Sequence, residues 1–92
     1  MLQELELYDN LISHIKGLEV FTELQSLDLS YNKIKHIRRV DHLKKLHHLY
    51  FVQNKISTIE GLEGLESLRY LELGANRIRV CVRVWRNTAS VS

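Results

Sequence analysis

The sequence predicts an α/β solenoid. One short parallel strand per turn stacks into a concave sheet, short 3-10 or helical turns form the convex return side, and the coil is right-handed. Two observations carry this. Shifting the chain by 22 residues superimposes LQELELYDNLISHIKGLEVFTE on LQSLDLSYNKIKHIRRVDHLKK, on LHHLYFVQNKISTIEGLEGLES and on LRYLELGANRIR without a slip in register. Within each unit the apolar residues first recur at every second position and later at every third, with an asparagine between the two patterns.

The alternating part comes first. Leu2, Leu24, Leu46 and Leu68 share one position, Leu5, Leu27, Leu49 and Leu71 the next, and Leu7, Leu29, Phe51 and Leu73 the third. Side chains alternate across a strand, so the last two columns point into the coil and the residue between them points out. Asn10, Asn32, Asn54 and Asn76 follow, then Ile12, Ile34, Ile56 and Ile78. An asparagine amide both donates and accepts, so it can satisfy turn backbone that burial would leave unpaired. Downstream, Ile15, Leu18 and Phe21 recur as Ile37, Val40 and Leu43 and as Ile59, Leu62 and Leu65. That three-residue spacing suits short helical or 3-10 turns facing the same core. A coiled coil would need heptads, and an ordinary amphipathic helix would not repeat an asparagine at this interval.

The repeats predict one domain over residues 1–79, three complete units and a partial fourth, with caps missing from both ends. Residues 80–92 form a tail outside the repeat, disordered from Asn87 onward. Val80, Val82 and Val84 alternate with Cys81, Arg83 and Trp85, which suits a strand or lid on the last coil, while Cys81 and Val84 still match core positions of the repeat. The exposed repeat ends and VCVRVW predict a monomer with a tendency to aggregate.

Function must sit on residues the core does not use. The outward strand positions are Glu4, Glu6 and Tyr8, then Ser26, Asp28 and Ser30, then His48, Tyr50 and Val52, then Tyr70, Glu72 and Gly74. None is Lys or Arg, although the chain holds 13 of these. Lys33, Lys55 and Arg77 follow the asparagines, and Lys35, Arg38, Arg39, Lys44 and Lys45 fall on the return path. An acidic concave face therefore stands beside a basic flank. With strands about 4.8 Å apart, Glu6, Asp28, Tyr50 and Glu72 form one row across the sheet. Tyrosines flanked by acids suit a protein partner with a basic and apolar patch. Glu6, Tyr8, Asp28, His48, Tyr50, Tyr70 and Glu72 are thus the candidate partner-binding residues.

Other chemistry finds little support. A formal net charge of +2 makes no case for nucleic acid or a membrane surface. Cys81 is the single cysteine, so no internal disulfide forms, and it has no identifiable base beside it. No stretch approaches the roughly 20 apolar residues of a transmembrane helix. His14 and His36 share a repeat position, and His42, His47 and His48 crowd one unit, but no ligand set is recognisable and solvated histidines are expected. An open sheet offers no water-poor pocket in which its acids would be tuned, so neither an enzyme nor a cofactor is predicted.

The 22-residue unit ending in I-x-x-I-x-x-L-x-x-L is similar to the SDS22-like class of leucine-rich repeat. Runs such as LYDN, FVQNKIS and LELGANRIR resemble the leucine-rich regulatory subunit of protein phosphatase 1, the regulatory subunit 7 family, from Leu2 to about Arg79. The resemblance implies a noncatalytic nuclear and cytoplasmic protein that holds the phosphatase catalytic subunit on its concave face. It also implies contacts through the residue between the strand leucines, which is acidic, aromatic and acidic in successive repeats and lands here on Asp28, Tyr50 and Glu72. The family's array is longer, which makes this chain a truncated fragment, and further contact residues lie in repeats it lacks. The same repeat class implies one alternative, a structural or assembly role as in axonemal dynein light chains or splicing-factor subunits, and truncation to a fragment that does not fold alone leaves another, an isoform without function.

Overall fold

The computed structural model describes residues 2–81 and 90–91. Each L-x-L segment forms a three-residue strand: β1 is Glu4–Glu6, β2 Ser26–Asp28 and β3 His48–Tyr50. Thr58–Ile59 form β4, Tyr70–Glu72 β5, Val80–Cys81 β6 and Ser90–Val91 β7. A five-stranded sheet runs β1-β2-β3-β5-β7, every neighbouring pair parallel. The middle leucines Leu5, Leu27, Leu49 and Leu71 stand opposite one another, one 22-residue unit apart.

The core follows the leucine columns. Leu24, Leu27, Leu46, Leu49, Phe51, Ile34, Ile56, Val40, Leu43 and Leu62 are fully buried. Burial fades toward both ends of the stack. Leu5, Leu7, Ile12 and Phe21 are only partly covered, and Leu2 and Ile78 are exposed although their columns are core elsewhere. A coil is covered by its neighbours on both sides, so a terminal coil leaves one apolar side open.

No helix forms among the described residues, so the return side has turns of the expected three-residue spacing but not in helical form. The three-residue apolar spacing instead carries single turns placed end to end. Phe21 N–H donates to Leu18 O and Leu24 N–H to Phe21 O, at 3.1 and 3.2 Å. Leu43, Leu46, Leu65 and Leu68 repeat the pattern on Val40, Leu43, Leu62 and Leu65. Such bonds fall on every third residue, whereas a 3-10 helix needs them on successive residues. Each turn run is preceded by a left-handed residue, Gly17, Arg39 or Gly61, which breaks helical backbone geometry.

Two further pairings involve the tail, and the first keeps the register that matches Cys81 to Ile59. β4 and β6 form a separate parallel pair on the return path, with Thr58 opposite Val80 and Ile59 opposite Cys81. β7 joins the main sheet beside β5, pairing Tyr70 with Ser90 and Leu71 with Val91. The disorder expected of the last six residues lies otherwise outside the described residues, as does the alternating segment 82–85, but Ser90 and Val91 are placed in the sheet.

Candidate functional site

The backbone of the strand face is fixed from below by the asparagines. Asn32 donates from Nδ2 to the carbonyls of Leu7, Leu29 and Ser30 at 3.0–3.1 Å, and its Oδ1 accepts Ile12 N–H at 3.0 Å. Asn54 repeats this with Leu29, Phe51 and Val52 and accepts Ile34 N–H. Asn76 does so with Phe51, Leu73 and Gly74 and accepts Ile56 N–H. Each amide thus bonds its own turn and the previous coil. Asn10 bonds only Leu7 O and Tyr8 O. The residue before each asparagine is left-handed, Asp9, Tyr31, Gln53 and Ala75 at φ of 57–60°.

On that frame Glu6, Asp28, Tyr50 and Glu72 stand in register on neighbouring strands, and Glu4, Ser26, His48 and Tyr70 form a second row. The rows meet in a ring cluster. His48 stacks on Tyr70 with centroids 4.8 Å apart and planes 13° apart, and lies 6.2 Å from the Tyr50 ring at 21°. Asp28, Tyr50 and Glu72 are half-buried, whereas Glu6, Tyr8 and Tyr70 are exposed.

Partial burial pushes the Tyr50 hydroxyl above its usual 10.0, and the charges of Glu72 and Asp28, with Tyr70, add to the rise. Tyr50 is therefore held as a neutral hydroxyl between two carboxylate-bearing neighbours. Asp28 is partly committed: its Oδ1 accepts Ser30 N–H at 2.9 Å, closing a local turn. Ser30, read from sequence as outward, is buried, and its Oγ accepts Val52 N–H at 3.1 Å. A small hydroxyl two residues past the strand bonds the next coil rather than facing solvent.

The Lys45–Glu23 ion pair and the His36–Glu60 contact lie away from this face. Lys45 pairs with Glu23 at 2.6 Å, and His36 lies 3.6 Å from Glu60. His42 is not a free surface histidine: its Nε2 donates to Leu18 O at 2.9 Å, tying two coils together. Sequence reasoning missed that tie, since nothing in the local pattern separates His42 from its neighbour His47. No cluster of three metal-binding side chains occurs among the described residues.

The leucine-rich repeat family model matches residues 22–78. Among solved structures, a leucine-rich-repeat protein of Leptospira interrogans superposes with a TM-score of 0.74 at 36% sequence identity. The match covers 84% of this chain and 20% of that one. Comparison with curated proteins gives no match. With the repeat pattern, the parallel strand register and these two matches in agreement, the chain belongs to the leucine-rich-repeat family.

Proposed function

We propose that this chain is a noncatalytic protein-binding module, a stretch of leucine-rich solenoid whose concave strand face docks the catalytic subunit of protein phosphatase 1 in the nucleus and cytoplasm. The observation that carries the binding reading is the row of Glu6, Asp28, Tyr50 and Glu72, in register and outside the core, with the His48–Tyr70 stack beside it. Rigid strands present these side chains with little conformational freedom left to lose on binding. Aromatic rings supply apolar contact area, and the flanking acids complement a basic rim. The phosphatase as partner rests on the motif resemblance of the repeats.

Affinity measurements on variants test this reading. Tyr50→Ala weakens binding of the catalytic subunit by about 30-fold, as loss of a central aromatic anchor does. Glu72→Ala weakens it by about tenfold, and both variants keep the parent circular dichroism spectrum. Parental affinity in both variants would remove the strand face from consideration.

A further inference from the structure

The return side carries a cleft that the strand-face reading does not use. Its volume is about 220 Å³ and its lining is His14, Ile15, Lys16, His36, Arg38 and Arg39. Two coils build it from equivalent positions: His14 lies one unit before His36, and Lys16 one unit before Arg38. No acid lines it. Asp41, Glu60 and Glu63 line the adjoining groove, which shares Arg38 and Arg39, and Glu60 reaches His36. Lys16, Arg38 and Arg39 make no ion pair among the described residues. Like charges stacked one coil apart repel, and an anion between them removes that repulsion.

Arg39 supplies an independent observation. Its φ is 63°, at the turn where the other two coils have Gly17 at 81° and Gly61 at 73°. Glycine adopts this conformation without steric penalty and arginine does not. Asp9, Tyr31, Gln53 and Ala75 are left-handed too, but no coil has glycine at their position, so among the described residues only Arg39 stands where the other coils keep a glycine. A guanidinium also matches the paired oxygens of a phosphate.

We propose that this cleft binds a phosphate dianion, free or as a phosphorylated side chain, with Lys16, Arg38 and Arg39 supplying charge and the His14 and His36 rings supplying N–H donors. The test is an amide chemical-shift titration of the full chain at constant ionic strength. Its probes are sodium phosphate, sodium chloride and a short phosphoserine peptide. Phosphate produces saturable shifts at residues 14–16 and 36–39, and chloride does not. Arg39→Gly weakens phosphate binding by about tenfold while raising Tm by roughly 4 °C. Arg38→Gln, which relieves no left-handed backbone, also weakens binding, by about fivefold. Lys33→Gln, outside the cleft, leaves the affinity unchanged.

A peptide that binds more tightly than free phosphate assigns the site to phosphorylated side chains; equal affinity assigns it to the free anion. Shifts that do not saturate, equal shifts with chloride, or undiminished binding by both Arg39→Gly and Arg38→Gln would overturn the assignment.

Discussion

Asn32, Asn54 and Asn76 each hold two coils with one amide, and removing one strands the N–H that the side chain accepts and takes a bond from several carbonyls at once. Asn54→Ala strands the N–H of Ile34 and leaves the carbonyls of Leu29 and Phe51 with one side-chain amide each, from Asn32 and Asn76. A cost of about 3 kcal/mol follows, measured by urea unfolding. Asn10→Ala costs under about 1 kcal/mol, because that amide is exposed and bonds only its own turn. Glycines differ in the same way. A Cβ on Gly61 would lie 2.3 Å from Ile37 O, whereas one on Gly17 meets nothing within 4 Å. Gly61→Ala therefore destabilises more than Gly17→Ala, whose cost is the left-handed backbone alone, about 1 kcal/mol. Tyr50 carries a pH dependence. Its folded pKa is raised, so the folded state holds the proton more tightly than the unfolded one. The associated stability is complete below about pH 10 and is lost as pH rises through the folded value. Tyr50→Phe should flatten that alkaline loss in a stability–pH profile. The asparagine column was legible because a polar residue recurred in an apolar frame. The left-handed residue before it was not, since Asp9, Tyr31, Gln53 and Ala75 share no side-chain chemistry.

Strand positions were readable because L-x-L alternation has one geometric meaning when a family of leucines must be buried. Leu49 shows the consequence: on β3 it is flanked by β2 and β5 and fully buried. Leu49→Ala costs about 2–5 kcal/mol, whereas Leu5→Ala on the half-covered β1 costs less. A pair of denaturant curves decides this, and equal losses would contradict the end-exposed stack. The return side was less readable. Spacing by three fixes which side chains face inward, but single chained turns and a 3-10 helix share that spacing. The β4–β6 pairing was hidden too, because Thr58–Ile59 and Val80–Cys81 look no different from the unpaired equivalents at His14–Ile15 and His36–Ile37.

Across the whole molecule, burial runs from an open first coil to a closed centre, and local stability should follow it. Hydrogen exchange is expected to show slower amides at Leu29 and Phe51 than at Leu7, although all three donate to the next coil at 2.8 Å. Uniform protection would mean that the chain unfolds only as one cooperative unit. Charge is also arranged at this scale, with acids and tyrosines on the strand face and the Lys33, Lys55 and Arg77 column on its flank. Sequence placed the row of Glu6, Asp28, Tyr50 and Glu72 correctly because 22-residue register alone determines it. The His48 stack needed side-chain geometry, which no spacing rule supplies.

Binding of the phosphatase to this face, as proposed, is checked by calorimetric titration of the full chain into purified catalytic subunit, with circular dichroism confirming a folded sample. The expected result is saturable heat that weakens in Tyr50→Ala. A folded chain that gives no heat would contradict it.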